Sequence, residues 1–536
     1  AGLWLAYRGR VRDCAALCAA GAVMLTAADP DLAFAGLGVT AGCLAAAFLT
    51  PGERMGSAAV FLGTSVLCSL AASSPEALLG FLASVKGTTK QDKKALVGCI
   101  LLQVLALALP AALLQHLLLA LVWLLMSAFG ALPFVLSGDI PNYIDAFFET
   151  VSGFTTTGAS ILTAVEPLSR GGLLWRSFTH WVGGMGVLVF VMAILPMSDG
   201  HTMHILRAEM PGPTAGKLVS RMSDTAKILY GMYFVMTLVM IGLLLLGGMD
   251  LFDASVHAFG AAGTGGFSSR NASVGAYNSA YIDIVTGIGM LAFGINFNLY
   301  YFLLMRRFRD VAKSEELWAY LGIVAFSTVT IAANIRHLYG AVGTSLRHAF
   351  FQVSSIITTT GYATVDFDQW PGYAKTVLVL LMFVGGCAGS TGGGLKVTRV
   401  VTLVKAAFMD MRKMIHPNAV VNVRMEGRAM PEKQVRGVQA YFSVYMLLYA
   451  VSWLLLSLNG FDLLSTFTAL SACINNIGPG LGMVGPTGNF SAFAPWAKLL
   501  LSFDMLAGRL EIFPMLLLFV PSTWRGNRLR RWERRN

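Results

Sequence analysis

Asp145-AFFETVSGFTTT-Gly158, Asp253-ASVHAFGAAGTG-Gly266, His348-AFFQVSSIITTT-Gly361 and Ser465-TFTALSACINNI-Gly478 lie over one another without a gap, each ending on a glycine thirteen residues after its first position. About nine residues of each stretch carry a mild amphipathic helical pattern. A helix that short cannot cross a hydrocarbon core, which takes about 20 apolar residues. Irregular backbone survives at membrane depth only where protein buries it or where it lines a water-filled cavity. A single TTTG between two helices is most often just a loop. Four matching stretches at spacings of roughly 95–117 residues are an internal repeat, and they predict four re-entrant pore loops around one shared polar cavity.

Working outward, a long apolar segment stands on each side of every stretch: 113–136 and 173–197, 226–248 and 280–305, 317–335 and 373–407, 438–459 and 494–521. The pattern predicts an all-α integral membrane fold of four tandem helix–pore loop–helix repeats in pseudo-fourfold arrangement. The repeats span residues 112–200, 201–310, 311–415 and 416–524, with extra N-terminal transmembrane helices over 1–111 and a basic tail at 525–536. Apolar runs near 14–27, 32–49, 57–83 and 97–110 leave two to four helices open in that first segment.

Composition agrees with a membrane solvent. Hydrophobic residues make up 56% of the 536 and charged residues only 12%, about half the usual share in a soluble domain, roughly 25%. An ordinary soluble enzyme, a disordered chain and a nucleic-acid-binding domain are thereby excluded. The net charge of +11 does not reverse this, because the basic residues gather in short linkers: Arg306, Arg307, Arg309 and Lys313, then Lys405, Arg412, Lys413, Arg424, Arg428, Lys433 and Arg436, and finally the tail from Arg525 to Arg535. Basic loops face the cytoplasm, so the tail is expected to be cytoplasmic and the pore loops to enter from outside. Asp139, Asp145 and Glu149 would then draw cations toward the mouth. Seven scattered cysteines with no metal-ligand spacing read as small buried hydrophobes.

The ends of the four stretches are suited to one chemistry. A bare K⁺ ion entering a narrow passage must exchange its hydration shell for other oxygens, and rings of backbone carbonyls can supply them. The filter candidates are Thr155, Thr156, Thr157 and Gly158; Gly263, Thr264, Gly265 and Gly266; Thr358, Thr359, Thr360 and Gly361; and Asn475, Asn476, Ile477 and Gly478. None carries a carboxylate, which argues against a Ca²⁺-type acidic ring. Their inequality points to one chain forming the whole ring.

These residues resemble the Trk/Ktr/HKT superfamily of potassium transporters, and more closely its bacterial TrkH-type membrane subunits. The likeness runs from about residue 112 to 521 through ALPFVLSG at 131–138, ETVSGFTTTGAS at 149–160, GGFS at 265–268, VGGCAGSTGGGLKVTR at 384–399, NNIGPG at 475–480 and GRLEIFP at 508–514. The resemblance implies that each filter glycine contributes to K⁺ selectivity. Plant relatives that favour Na⁺ have serine at the first of these positions, where this chain has Gly158. K⁺ is therefore the expected transported ion, bound at the filter residues, with no organic cofactor in this chain. The family further implies a homodimer in the bacterial cytoplasmic membrane. It also implies a separate cytoplasmic ring of TrkA-like, nucleotide-binding regulatory subunits docked on the basic linkers. No nucleic-acid partner is expected.

Two features speak for a gate. Gly385, Gly386, Gly389, Gly392, Gly393 and Gly394, with Ser390 and Thr391 among them, should break the third repeat's second helix, since glycine costs about 1 kcal/mol relative to alanine in a helix interior. A phosphate-binding loop is excluded because Leu395 occupies the position of its lysine. By resemblance this run is an intramembrane gating loop below the filter. Arg509 lies inside the last apolar segment, where a charge costs roughly 2.5–3.5 kcal/mol on insertion scales. The family reading projects it toward the pore, against the loop; pairing with Glu511 or Asp504 is the structural alternative. Lys396 either acts similarly or reaches the cytoplasm, and Asn296 is a weaker pore-lining candidate. His180, His257 and His348 stand singly and read as structural.

The predicted function is K⁺ uptake through a selective, gated central pore, and not catalysis. Na⁺ or weakly selective cation transport on the same fold is the nearest alternative. A polytopic membrane enzyme would need a cluster of acids or histidines at one depth, and a secondary transporter would need two inverted halves.

Overall fold

The computed structural model describes residues 111–186, 222–418 and 421–520. Nearly all of them belong to one compact unit, Gln115–Ile194 with Thr202–Phe519. The N-terminal helices expected before residue 111, the linker at 187–221 and the basic tail lie outside the described residues.

The elements repeat in order. The first unit has α1 (Ala111–Gly130), α2 (Leu132–Ser137), the short helix α3 (Tyr143–Phe154) and α4 (Arg170–Gly184). The second has α5 (Met222–Leu246), short α6 (Leu251–Gly263), α7 (Ala280–Phe293), α8 (Phe297–Leu304) and a turn of helix, α9 (Phe308–Ala312). In the third, α10 (Glu315–Tyr339) and short α11 (Val342–Ile357) precede α12 (Gly372–Val384) and α13 (Val397–Ile415). The fourth comprises α14 (Glu432–Ser457), short α15 (Leu463–Ile474), α16 (Pro495–Arg509) and α17 (Phe513–Leu517). Each unit contributes one stretch long and apolar enough to cross a membrane: Ala120–Ser137, Lys227–Leu246, Glu315–Tyr339 and Glu432–Ser457. The bent pair α7–α8 makes a fifth if counted as one span. Strand is confined, among the described residues, to β1 (Arg424–Met425) and β2 (Arg428–Ala429). These join through Glu426 and Gly427, both left-handed, the combination a two-residue hairpin turn requires. The all-α expectation thus omitted one small ribbon.

Polar caps start three of the short helices. The Asn142 carboxamide accepts from the Ile144 amide (2.9 Å), Asp462 from Ser465 (3.0 Å), and Asp250 serves α6 in the same way; such caps are worth about 1 kcal/mol each. Packing then links the units in sequence. The second helix of each unit packs on the short helix of the next: α4 on α6, α7 on α11 and α12 on α15. From the fourth unit, α16 returns to α3.

The second helices differ from the continuous segments expected at 280–305 and 494–521. The break at the third repeat's glycine run has counterparts in the second and fourth. At Gly294–Asn296 the chain bends by 92°, with Asn296 capping α8 through the Asn298 amide (2.9 Å). After Arg509 the chain leaves the helix through Glu511 and Ile512, at φ of 63° and 61°.

Candidate ion path and gating loop

The short helices α3, α6, α11 and α15 all end in the same backbone figure. The amides of Thr157, Gly265, Thr360 and Ile477 each donate to the carbonyl five residues back, on Ser152, Gly260, Ser355 and Ala472, at 2.8 Å in every case. Thr156, Thr264, Thr359 and Asn476 are left-handed, at φ between 56° and 60°, and so are Gly158, Gly266, Gly361 and Gly478. A non-glycine residue held there costs about 1–3 kcal/mol and persists only where its surroundings over-determine it. Four such residues in equivalent positions mark one structural device used four times.

The stretches meet head to tail. A Cβ on Gly158 would strike the carbonyl oxygen of Gly265, one on Gly266 that of Thr360, and one on Gly361 that of Ile477; Gly478 faces the carbonyl of Thr157. The contacts close a ring. Among the described residues, none of those four carbonyls accepts a protein hydrogen bond. All four glycines line a single cavity of about 220 Å³. Asn476 ties the fourth stretch to the first by donating to the Thr157 hydroxyl (2.9 Å).

Two of the acids predicted to line the mouth, Glu149 and Asp145, are paired with cationic side chains. Glu149 is buried and paired with Arg176 at 2.6 Å. It also accepts from Ser160 Oγ and the Ile161 amide, each at 3.0 Å. Asp145 pairs with Lys498 (2.6 Å). Asp139, in the loop between α2 and α3, accepts from Ser169. Burial raises its carboxyl pKa, but the Ser169 and Ser137 hydrogen bonds outweigh that and hold it below the ordinary carboxylate range. Each carboxylate is committed to a local donor because the chain brings one within reach, which the residue type alone does not reveal. His257, at the position in α6 equivalent to Glu149 in α3, makes the matching brace, Nε2 to Ser268 Oγ at 2.9 Å.

The Glu149–Arg176 pair crosses between units, since Arg176 Nη1 donates to the Ser268 carbonyl (3.2 Å) and its guanidinium lies 3.6 Å from the Phe267 ring centroid. Removing one partner of a buried pair costs about 3–5 kcal/mol. Glu149→Ala is therefore expected to lower the unfolding free energy by that amount, read as loss of thermal stability in detergent, with Glu149→Gln losing less.

The glycine run forms an irregular loop between α12 and α13. Its Gly392 and Gly393 lie against the carbonyls of Thr358 and Asn475, and the Gly393 amide donates to Thr359 Oγ1 (2.6 Å). The broken end of α7 holds its other side, with Cys387 N donating to Gly294 O (2.9 Å) and Phe297 N to Gly389 O (3.1 Å). Arg509 donates to the carbonyls of Thr391 (3.0 Å) and Gly184 (2.8 Å), and to that of Gly183. Lys396 is buried and donates to the Gly392 carbonyl. Of the alternative partners for Arg509, Glu511 pairs with Arg399 and Asp504 accepts from Ser452 (2.8 Å).

Sequence reading missed Glu316. This buried acid in the first turn of α10 accepts from the Ala388 amide (2.6 Å), and from the Thr398 amide and hydroxyl, so it pins both sides of the loop. Arg176 was missed too, although the cost of an intramembrane charge, which singled out Arg509, applies to it equally. Cys387 and Cys473 are free and buried.

The family model TrkH, described as a cation transport protein, matches residues 114–335 and 323–525. The chain is 40% identical over 416 residues to the Trk system potassium uptake protein TrkH of Escherichia coli, covering 76% of this chain and 85% of that one. It is 36% identical over 407 residues to TrkI of Halomonas elongata, covering 75% and 82%. The crystal structure of the potassium transporter TrkH from Vibrio parahaemolyticus superposes with a TM-score of 0.68 at 30% identity, over 97% of this chain and all of the other. Matched over most of its length by the family model and by these relatives, the chain belongs to the TrkH family of cation transport proteins, a family of membrane transporters and not of enzymes.

Proposed function

We propose that the protein mediates K⁺ uptake across a bacterial cytoplasmic membrane through a pore at the centre of four pseudo-fourfold repeats, with the boundaries predicted above. The observation that carries this reading is the ring of four left-handed glycines, each against the unpartnered carbonyl of a neighbouring stretch. Carbonyls that no protein donor satisfies, held by a strained and repeated backbone, are suited to replacing the hydration shell of a monovalent cation. The filter comprises residues 155–158, 263–266, 358–361 and 475–478, and the names of the relatives as potassium uptake proteins favour K⁺ as the ion.

Below it, the loop at 385–394 is the gate, with Lys396 and Arg509 as its latches. A guanidinium beneath the filter opposes cations as a charge and holds the loop as a donor. The basic linkers and tail face the cytoplasm, where a nucleotide-binding regulatory ring docks, and the transporter works as a homodimer.

Purified protein in liposomes, loaded to drive radioactive rubidium inward, tests the reading. Uptake is expected to be blocked by excess K⁺ and hardly by Na⁺. Equal competition by both ions would move the assignment to a weakly selective cation path. Absence of flux with the regulatory partner present would overturn it.

A further inference from the structure

The second filter stretch lacks what braces its counterparts. In the first, the hydroxyls of Thr155 and Thr157 bond to each other at 2.8 Å; in the third, those of Thr358 and Thr360 do so at 2.7 Å. The fourth has Asn475 held by Tyr445 (3.0 Å) and the fully buried Ile477. At the equivalent positions the second has Gly263 and Gly265, which bring no side chain at all. A strand of bare glycine backbone is the least constrained kind, yet its dihedrals and its 2.8 Å amide bond match the others.

His180 fills the space. A Cβ built on Gly265 would fall among the atoms of the imidazole ring, and one on Gly263 would meet the His180 carbonyl. The ring is completely buried and stacks on Phe267, the residue that follows the filter glycine, at 4.1 Å between centroids and 21° between planes. Arg176, one helical turn earlier on the same face of α4, lies against the same phenylalanine. Neither imidazole nitrogen makes a hydrogen bond of ordinary geometry among the described residues; the Ser152 backbone lies nearby, and the ring meets the second stretch through its bulk. Gly265 has an ordinary backbone conformation, since it is absent from the left-handed glycines. The three atoms nearest to a Cβ there all belong to the imidazole.

We infer that His180 is a positioning residue for selectivity: its ring, delivered by the first repeat, replaces the missing side chains of the second filter stretch and holds that quarter of the carbonyl ring in register. The inference rests on the proposed filter, and the test separates the two. Rubidium uptake with K⁺ or Na⁺ as competitor, and melting temperature in detergent, are measured for wild type, His180→Ala, His180→Phe, Gly265→Thr and the double variant His180→Ala/Gly265→Thr. His180→Ala is expected to lower K⁺-over-Na⁺ discrimination about tenfold, in keeping with the cavity a lost buried ring leaves, while His180→Phe stays close to wild type. Gly265→Thr fails by collision with the ring, and the double variant recovers relative to either single change, because threonine at 265 then supplies, in the space the ring leaves, one of the two side chains that the first and third stretches carry.

A folded His180→Ala protein with wild-type discrimination would overturn the inference, as would a His180→Phe protein as impaired as the alanine variant. If the wild type itself discriminates nothing, the filter reading fails. The melting temperatures then decide the packing separately: recovery in the double variant supports His180 as the surrogate side chain, and losses that simply add overturn it.

Discussion

Gly158→Ser is expected to remove most of the discrimination between K⁺ and Na⁺, while Gly138→Ser leaves it intact. The comparison is controlled by the backbone. Both glycines are left-handed, at φ of 78° and 80°, so serine at either position carries the same conformational cost of about 1–2 kcal/mol. Their surroundings differ completely. Gly138 has nothing within 4 Å of the added Cβ, whereas at Gly158 the added atom meets the carbonyl of Gly265. That oxygen belongs to the proposed coordinating ring and cannot retreat without moving the second filter stretch, which is itself packed on His180. The strain therefore appears as a displaced ligand, and each 1.4 kcal/mol of lost preference is about tenfold in selectivity. Rubidium uptake in liposomes with K⁺ or Na⁺ as competitor reads the ratio directly. A Gly158→Ser protein that folds and still rejects Na⁺ would remove the first glycine from the filter.

How far the sequence carries is seen by following individual residues. The four stretches announce themselves because a thirteen-residue register, repeated without gaps, survives in the chain as residue types: glycine at the end, small polar residues before it, a short apolar helix ahead. The glycine run at 385–394 is legible for the same reason, since its propensity opposes its apolar flanks. The bend at Gly294–Asn296 had a comparable signal in its glycine and its capping asparagine, which the length of the apolar segment obscured. The break after Arg509 had its signal in Pro514, in the first turn of the helix that follows, since proline interrupts a helix interior. It passes through Glu511 and Ile512 in left-handed conformations, and isoleucine is among the last residues such a backbone would suggest.

What the sequence withholds is contact between segments far apart along the chain. Arg176 reaches Ser268 across 92 positions, and Glu316 reaches Ala388 across 72. Periodicity along a chain says which face of a helix is apolar and nothing about which distant loop that face meets. The same limit explains the mouth. Asp139, Asp145 and Glu149 look like an acidic funnel as a list of charges, but Lys498 and Arg176 pair with Asp145 and Glu149, and only Asp139, held by Ser169, keeps a charge without a cationic partner among the described residues. His180 is the sharpest case. As a single histidine in an apolar helix it reads as structural, and only the two missing side chains on Gly263 and Gly265, in another repeat, give its bulk a purpose.

Arg509→Ala is expected to raise flux in the absence of any activating partner, by about tenfold or more, with K⁺ selectivity preserved. The guanidinium bridges two parts of the chain: the Thr391 carbonyl in the loop, and the Gly183 and Gly184 carbonyls at the end of α4. A hydrogen bond from a charged donor is worth about 1.5–3 kcal/mol, so losing even one shifts the closed-to-open ratio of the loop by about tenfold. Removal also deletes the positive charge next to the proposed filter, and both changes act in the same direction. Arg509→Lys separates them. Lysine keeps the charge but replaces the planar fork with a compact ammonium, which cannot span carbonyls on both the loop and α4 in the same geometry. If charge alone closes the path, the lysine variant stays as silent as wild type; if the bridge closes it, flux rises most of the way to the alanine level. The second outcome is expected, because Arg509 donates to three carbonyls on two separate segments, a span that a compact ammonium does not reproduce. Unchanged basal flux in a folded Arg509→Ala protein would take the residue out of the gate altogether. Loss of K⁺ preference in that variant would show that the loop supports the filter, through its contacts with Thr358, Thr359 and Asn475, as well as closing it.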